Sequence, residues 1–263
     1  MNFFRLYSRT LLLTLVVLTL ASFTKREQPD PNFHLYLLIG QSNMAGRGVL
    51  TPEYRNLSNP SVLMLDQDGK WLEASHPLHF DKPKIAGVGP GLAFGLQMHE
   101  ANPKVKIGLI PCAVGGTAIE SWEPGIMDRV TKKYPYDDMI ERLSVAMKTG
   151  VVKGIIWQQG EANSTPERAV GYLKKLETLI KRIRKEVGDK NLPFVAGELG
   201  RYRETYRLVS DQLIKLPEEV KNTAVASSEG LVHKGDNTHF DAASATELGK
   251  RFAKQMTLLQ QNK

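Results

Sequence analysis

A serine and a histidine that lie far apart in the chain have the residue types of a nucleophile and its base. Residues 40–46 read Gly-Gln-Ser-Asn-Met-Ala-Gly and follow the apolar run 33–39. A serine at the point where a buried strand ends in a glycine-bounded turn can expose its hydroxyl at the edge of a sheet, where α/β proteins keep their reactive groups. Ser42 is therefore a candidate nucleophile, provided that a general base reaches it.

His239 is the best placed of the six histidines to act as that base. It follows the last predicted core strand and precedes the last predicted helix, and strand ends in a parallel sheet share one edge. Asp236 precedes it by three residues, so a short turn can bring the carboxylate to the second imidazole nitrogen. That contact would fix the tautomer and stabilise the imidazolium that forms as Ser42 loses its proton. The combination predicts a Ser-His-Asp hydrolase.

Short apolar runs alternate with amphipathic helical patterns along the rest of the chain, as in βαβ units. The predicted core strands are 33–39, 105–110, 152–157, 193–197 and 223–227. The predicted helices are 90–101, 136–148, 166–187, 203–216 and 242–258. Near-continuous apolar strands suit a parallel sheet that is covered on both faces. The predicted fold class is α/β, a three-layer α/β/α sandwich with a five-stranded parallel sheet.

Residues 51–86 interrupt this alternation. Two apolar runs, at 61–65 and 70–73, flank the sequence Asp-Gln-Asp-Gly. Aspartate followed by glycine between apolar runs is a hairpin signal. We interpret the segment as an inserted hairpin followed by a loop.

The first 24 residues differ in composition from the remainder. Two arginines precede a run of leucine, valine and threonine at 11–20, and small residues follow it. This pattern is typical of a secretory signal peptide, and the run is short for a membrane span of roughly 20 residues. We predict a signal peptide at 1–24, a linker at 25–32 and one domain at 33–263. The protein is then secreted or periplasmic, and an uncleaved membrane anchor is the alternative.

The net charge, the single cysteine and the histidine spacing argue against nucleic-acid binding, a cysteine nucleophile and a metal site. The formal net charge of +7 becomes +5 without residues 1–24, which hold two arginines and no acids. The basic residues are interleaved with acids, as on solvated helix faces rather than nucleic-acid-binding surfaces. Cys112 is the only cysteine, and its apolar neighbours predict a small core residue. His76 and His79 lack a third ligand, so no metal is predicted, although His79 can line the substrate pocket.

Four short blocks together resemble the ordered blocks of the SGNH hydrolases. They are Gly40-Gln41-Ser42-Asn43-Met44, Gly115-Gly116-Thr117, Gln158-Gln159-Gly160-Glu161 and Asp236-Asn237-Thr238-His239-Phe240. The α/β-hydrolases share the triad order, but Met44 stands where their Gly-x-Ser-x-Gly elbow needs glycine. The most similar branch is the sialate O-acetylesterase-like group, which includes the acetylxylan esterases of carbohydrate esterase family 6. The resemblance implies a flavodoxin-like SGNH hydrolase fold and a serine esterase that removes O-acetyl groups from carbohydrate without a cofactor.

The resemblance also implies donors for the oxyanion that forms during acyl transfer. The candidates are the backbone N–H of Ser42, the backbone N–H of Gly116 and the side chain of Gln159. Gly115 is the alternative to Gly116. SGNH hydrolases commonly have an asparagine in the third block, where this chain has Gln159, and Asn163 is a rival side-chain donor.

Four further residues are candidates for substrate binding: Gln41, Asn43, Trp122 and Glu161. The ring of Trp122 can stack on a sugar, since aromatic faces are flat and apolar, and core packing is the alternative. Glu161 can orient the histidine or a substrate hydroxyl, or it can hold the Ser42 loop.

The expected partner is an acetylated carbohydrate, such as acetylated xylan or sialic acid. An SGNH lipase or thioesterase and a catalytically silent carbohydrate-binding protein on the same fold are the alternatives. No nucleic-acid partner is expected, and a membrane partner is expected only if the N-terminal segment is uncleaved. The sequence leaves open which glycan is bound and the oligomeric state.

Overall fold

Seven strands form a single sheet in the computed structural model, which describes residues 28–261. The strands are β1 (Asp30–Gly40), β2 (Val62–Leu65), β3 (Trp71–Glu73), β4 (Lys106–Pro111), β5 (Gly150–Gln158), β6 (Phe194–Gly197) and β7 (Thr223–Ala226). Their order across the sheet is β3-β2-β4-β1-β5-β6-β7, so β1 is the central strand. Neighbouring strands are parallel, except for the antiparallel pair β2 and β3.

The prediction of a five-stranded sheet missed the two strands of the hairpin. β2 pairs in parallel with β4, and β3 pairs with the outer side of β2. Val62 and Leu65 are fully buried. The hairpin that we interpreted as an insertion is therefore the edge of the main sheet. A hairpin pattern predicts that two strands pair with each other, and it carries no information about a third strand beside them.

Nine α-helices occur within residues 28–261. They are α1 (Ser42–Ala45), α2 (Pro52–Arg55), α3 (Pro90–Ala101), α4 (Pro135–Ala146), α5 (Pro166–Ala169), α6 (Tyr172–Val187), α7 (Arg207–Leu213), α8 (Leu216–Glu219) and α9 (Ala242–Gln261). The predicted helix 166–187 is two helices, because Gly171 has a left-handed conformation (φ 70°) between them. The predicted helix 203–216 is also broken, into the 3₁₀ turn Glu204–Tyr206, α7 and the start of α8.

Alternate side chains of β1 face two separate hydrophobic clusters. Leu35, Leu37 and Ile39 pack in one cluster with residues of α4, α6 and α7. Tyr36 and Leu38 pack in the other cluster with residues of α3 and α9. The central strand is thus buried on both faces, as its near-continuous apolar sequence predicted. The three-layer α/β/α sandwich is confirmed.

The N-terminal boundary of the domain differs from the prediction. Asp30 lies in β1, where its N–H donates to Thr149 O at 3.0 Å. The predicted linker 25–32 is therefore wrong for residues 30–32, which belong to the sheet. The predicted signal peptide at 1–24 lies outside the described residues. Among the helices of residues 28–261, none has the length and apolarity needed to span a membrane.

The carboxyl ends of the strands bring the four sequence blocks to one edge of the sheet. β1 ends two residues before Ser42, and β5 ends one residue before Gln159. β4 leads into the loop with Gly115 and Gly116, and the segment 236–239 lies between β7 and α9. This edge is where open α/β sheets place their ligands.

Candidate active site

Ser42, His239 and Asp236 form a continuous hydrogen-bonded chain. Ser42 Oγ lies 3.0 Å from His239 Nε2. On the other side of the ring, His239 Nδ1 lies 2.8 Å from Asp236 Oδ2. An ionised carboxylate only accepts hydrogen bonds, so Nδ1 carries the ring proton and Nε2 can accept the proton of the serine hydroxyl. The structure brings together the three residues that the sequence predicted, in a geometry that can activate a serine nucleophile.

Ser42 begins the short helix α1 immediately after the central strand. Gly40 has φ 135°, and a Cβ atom at this position would lie 2.1 Å from Gln158 O of the neighbouring strand. Only glycine therefore lets β1 turn this close to β5. Ser42 itself is only 7% exposed, so neighbouring residues enclose most of its surface.

The segment 236–239 is a tight turn built on the side chain of Asp236. Its Oδ1 accepts hydrogen bonds from the N–H groups of Thr238 (3.0 Å) and His239 (2.8 Å), as in an Asx turn. Burial by itself raises the pKa of Asp236, but the hydrogen bonds from His239 and Thr238 outweigh it and lower the pKa to about 2. The carboxylate is therefore ionised at neutral pH and can stabilise an imidazolium beside it.

The side chain of Asn43 joins α1 to this turn. Its Nδ2 donates to Glu161 Oε1 and to Thr238 O, the latter at 3.0 Å, and its Oδ1 accepts from the N–H of Phe240 at 3.0 Å. Both amide protons are thus used inside the protein. The prediction that the Asn43 side chain binds substrate is wrong. This side chain instead connects the segment that carries Ser42 to the segment that carries His239.

Glu161 accepts a hydrogen bond from Asn43 and is half-buried as a residue, with its Oε2 atom fully buried. Burial raises the pKa of its carboxyl group, against the opposing effect of the hydrogen bond from Asn43 and of the backbone N–H groups of Glu161 and Gly160. Its Oε2 is buried and has no hydrogen-bond partner within the described residues. Of the roles considered for Glu161, this geometry supports that of holding the Ser42 loop, through Asn43.

The backbone N–H groups of Ser42 and Gly116 have no acceptor within residues 28–261, and the N–H of Asn43 has none there either. The N–H of Gly115, by contrast, donates to Asp81 Oδ2 at 2.8 Å. A Cβ atom on Gly115 would lie 3.4 Å from the Cβ of Ser42, so this turn lies beside the nucleophile. Ser42 and Gly116 therefore remain the two candidate backbone donors for an oxyanion.

The sequence pattern of the carbohydrate esterase, sialic acid-specific acetylesterase family matches residues 32–258. The chain belongs to this family. It is 31% identical to the probable carbohydrate esterase At4g34215 of Arabidopsis thaliana, over 86% of this chain and 91% of that protein. Members of the family are carboxylic ester hydrolases, so the protein is an enzyme of that class. The resemblance to SGNH-type carbohydrate esterases is confirmed.

Solved structures show the same fold. The crystal structure of the Arabidopsis protein matches the esterase with a TM-score of 0.77, over 87% of this chain and 99% of that one. NanS, 15% identical, matches with a TM-score of 0.69 over 89% of this chain and 99% of its own. XAC1771, a carbohydrate acetylesterase from Xanthomonas citri, is 22% identical and matches with a TM-score of 0.69, over 87% of this chain and 57% of its own. At these identities the last two similarities establish the fold alone.

Gln159 of the esterase is fully buried, and its side chain is used internally. Its Nε2 donates to Gln41 Oε1 (3.2 Å), Thr117 O (3.1 Å) and Asn163 Oδ1 (2.8 Å). Its Oε1 accepts from the Tyr172 hydroxyl at 2.8 Å. An amide nitrogen has only two protons, and both are occupied here. The prediction of Gln159 as a side-chain oxyanion donor is therefore wrong.

Gln41 and Asn163 belong to the same internal network. Gln41 is 3% exposed, and its Oε1 also accepts from the N–H of Ala162 at 3.2 Å. Asn163 is fully buried and its Nδ2 donates to Glu120 Oε2 at 3.0 Å. The rival donor role of Asn163 is corrected, since its fully buried amide ties the segment after β5 to Glu120. The substrate contact of Gln41 stays a prediction, because the internal hydrogen bonds use only its Oε1.

Trp122 is a core residue. It is 1% exposed, and its ring packs edge-on against Trp157 with centroids 5.3 Å apart. Its indole N–H donates to Thr117 Oγ1 at 3.2 Å. The prediction of a sugar platform is wrong, and the alternative of core packing is correct.

His79 and Cys112 line a cavity of about 440 Å³ that none of the three triad residues lines. His79 Nδ1 accepts the N–H of Ala113 at 3.2 Å, so the ring supports the loop that leads to Gly115. Cys112 is buried, as the sequence predicted, and burial raises the pKa of its thiol to about 11.

Sequence reasoning missed two residues that hold the histidine loop. His233 Nδ1 accepts the N–H groups of Gly235 (3.0 Å) and Asn237 (3.1 Å). The Tyr202 hydroxyl donates to Thr238 O at 3.0 Å, and its ring packs against that of His233. The closeness of His233 to Asp236 in the sequence was the one available signal, and nothing in the sequence points to Tyr202.

Proposed function

We propose that this esterase removes O-acetyl groups from carbohydrate, with Ser42 as nucleophile, His239 as general base and Asp236 as its orienting carboxylate. The observation that carries the proposal is the hydrogen-bonded chain from Ser42 Oγ through the His239 ring to Asp236 Oδ2. Its position at the carboxyl edge of the sheet, beside two N–H groups without acceptors, supports the same reading.

In the first half of the reaction, Ser42 Oγ attacks the acetyl carbonyl carbon while His239 Nε2 takes the hydroxyl proton. The ring then carries a positive charge next to the ionised Asp236. The negative oxygen of the tetrahedral intermediate accepts the N–H groups of Ser42 and Gly116. The carbon–oxygen bond to the sugar breaks, and His239 returns the proton to the leaving sugar oxygen.

In the second half, water replaces the sugar hydroxyl. His239 takes a proton from the water as its oxygen attacks the acetyl–Ser42 ester. The second tetrahedral intermediate collapses, Ser42 recovers its proton from His239, and acetate leaves. The sequence needs no cofactor, because each proton that His239 accepts is returned within the same half-reaction.

The proposed substrate class is an acetylated glycan, such as acetylated xylan or O-acetylated sialic acid. Membership in the carbohydrate esterase family supports the class, and its family description favours sialic acid as the first compound to test. The choice between these glycans depends on the loops around the site.

Acetate release from both glycans tests the proposal. The wild type is compared with Ser42→Ala and with the control Ser144→Ala, whose exposed hydroxyl donates to Glu141 O on α4. We expect the Ser42 variant to lose about 10⁴-fold or more in kcat and the control to match the wild type. After rapid quenching, mass spectrometry should find an acetyl group on Ser42. Full activity of a folded Ser42→Ala variant would overturn the proposal.

A chain-length series of nitrophenyl esters separates this function from that of a lipase or thioesterase. An acetylesterase should lose kcat/KM steadily from acetate to octanoate. A preference for octanoate would replace the acetylesterase proposal with the lipase alternative.

We also propose that residues 1–24 direct export of the enzyme. Their basic start and short apolar run support this, and they lie outside the described residues. The N-terminal sequence of the mature protein tests it, since cleavage near residue 24 is expected and a retained Met1 on a cytoplasmic protein would contradict it.

A further inference from the structure

Arg47 and Asp81 form a buried ion pair next to the nucleophile helix. Arg47 follows Gly46, the residue that caps the C-terminal end of α1. Arg47 Nη2 lies 2.7 Å from Asp81 Oδ2, and the two side chains are only 3% and 2% exposed. Arg47 Nη1 also donates to Gly46 O at 2.7 Å, so the guanidinium is attached to the end of α1.

The same carboxylate oxygen of Asp81 is attached to the glycine turn. Asp81 Oδ2 accepts the N–H of Gly115 at 2.8 Å, in addition to the hydrogen bond from Arg47. A single oxygen atom thereby connects the segment that carries the Ser42 N–H to the segment that carries the Gly116 N–H. Neither of these two N–H groups has an acceptor among residues 28–261.

The pair also explains the first of the two adjacent glycines in this turn. A Cβ atom on Gly115 would lie 2.5 Å from Arg47 Nη2 and 2.8 Å from Asp81 Oδ2, so a side chain would push the ion pair away. Gly116 has φ 94°, which other residues rarely adopt. Gly115 is needed because the ion pair approaches its Cα closely. Gly116 is needed because the backbone has a positive φ at the next position of the turn.

A buried ion pair is poor evidence for a stabilising role, because removing two charges from water offsets much of their attraction. The free-energy cost of burying this pair is larger than for a fully hydrogen-bonded pair, since Asp81 Oδ1 is buried and has no hydrogen-bond partner within the described part of the chain. The benefit is geometric, because charge-assisted hydrogen bonds to the planar guanidinium hold both segments in one orientation.

We infer that the Arg47–Asp81 pair sets the spacing between the Ser42 and Gly116 N–H groups and is the positioning element of the oxyanion hole. The inference rests on the proposed serine mechanism. Arg47 and Asp81 are positioning residues, since they act through the backbone of two other residues. They should therefore affect the stability of the tetrahedral intermediate and not the affinity for substrate.

Substitution of Asp81 with a transition-state probe tests the inference. Methylboronic acid is the probe, because its tetrahedral adduct with a serine hydroxyl has the shape of the acetyl-transfer intermediate. We expect Asp81→Ala to lower kcat by about 100-fold, as for a misplacement of about 1 Å, with KM changed less than about twofold. The affinity for methylboronic acid should fall in proportion to kcat.

Asp81→Asn provides the conservative comparison, because its side-chain oxygen can still accept the Gly115 N–H. We expect it to recover part of the loss, with kcat between those of the Ala variant and the wild type. Arg47→Lys keeps the charge but loses the planar guanidinium. Its kcat should also lie between those of Asp81→Ala and the wild type. If Asp81→Ala does not fold, the Asn and Lys variants carry the test.

The control is Arg184→Gln, which alters another buried arginine. Arg184 donates to the carbonyl oxygens of Leu192, Lys221 and Asn222, and we assign it no role in the site. It should lower the melting temperature without changing kcat or methylboronic acid affinity. Folded Asp81 variants that lose stability but keep wild-type kcat and boronate affinity would overturn the inference. If Ser42→Ala kept activity, the serine mechanism itself would fail, which is a separate outcome.

Discussion

His239 Nε2 lies 3.0 Å from Ser42 Oγ, although 197 positions separate the two residues in the chain. The pair forms because β1 is the central strand and because Asn43, the neighbour of Ser42, is hydrogen-bonded to the backbone on both sides of His239. The contact is therefore maintained by a bridging amide as well as by the sheet. This arrangement leads to predictions about the residues around the pair.

Asp236→Asn should lower kcat by about 10³-fold without unfolding the protein. The Asn side chain can still accept backbone N–H groups, but it does not hold the tautomer in which His239 Nε2 accepts a proton. Steady-state kinetics and a thermal melt measure the two effects. The matched control is Asp66→Asn, because Asp66 Oδ1 accepts two backbone N–H groups in a distant turn. A comparable loss of kcat in the control would contradict the assignment.

Asn43→Ala should lower kcat by about 10–100-fold and destabilise the protein by about 1–3 kcal/mol. The substitution removes the bridge between α1 and the histidine loop and leaves the buried carboxyl of Glu161 without a donor from Asn43. Kinetics and urea denaturation check the two effects. Asn59→Ala, which removes a side-chain acceptor for the Ser61 N–H in a turn, is the control and should keep wild-type kcat. A wild-type kcat in Asn43→Ala would show that the bridge is unimportant.

Trp122→Ala should lower the free energy of unfolding by about 3–5 kcal/mol, because it empties a core position. The KM for an acetylated glycan should stay within about twofold, because the ring is 1% exposed and packs against Trp157. Trp122→Phe keeps most of the volume and should lose much less stability. The opposite result, a raised KM at unchanged stability, would restore the sugar-platform role.

Two buried histidines should make the protein less stable in mild acid. Burial lowers the pKa of His76 to about 4 and that of His79 to about 3, against an ordinary value of 6.5. The unfolded chain therefore binds more protons than the folded one below pH 6.5, so the free energy of unfolding falls as the pH drops towards 4. At pH 5 the loss is about 2 kcal/mol for each histidine.

Urea denaturation at a series of pH values measures this loss. In His76→Phe the slope between pH 7 and pH 5 should decrease, because the buried Nδ1 of His76 has no partner within residues 28–261 and the new ring does not titrate. The control is His99→Phe, because His99 is only half-buried whereas His76 is buried. This variant should keep most of the dependence of the free energy of unfolding on pH. An unchanged slope in His76→Phe would assign the acid sensitivity to other groups.

Local sequence patterns were enough to predict the main elements of the fold. The run before Ser42 forms β1, and α3 spans the predicted residues 90–101. The Asp236–His239 spacing also predicted a contact that the turn produces locally, since both residues lie in one four-residue segment. These predictions succeeded because periodicity, turn residues and short spacing act over a few positions of the chain.

The roles of the polar side chains near Ser42 were not predictable in the same way. Gln41, Asn43 and Gln159 have the residue types of substrate ligands, but the amides of Asn43 and Gln159 and the side-chain oxygen of Gln41 are directed into internal hydrogen bonds. Their partners lie in other parts of the chain, such as Thr117 and Thr238. An amide binds whichever acceptor or donor the fold places beside it, and sequence proximity to a nucleophile does not specify that partner.

The sequence by itself determined the buried strand before Ser42, the candidate nucleophile at its end and the carboxylate–histidine turn, because each depends on neighbouring residues. Only the tertiary structure decided that the hairpin at 61–73 is the edge of the sheet, that Trp122 is in the core and that Arg47, Asp81 and Gly115 meet beside Ser42. These contacts depend on desolvation and on hydrogen bonds between distant segments. Their geometry exists only after the whole sheet has formed, since the strands set the distances between their carboxyl ends.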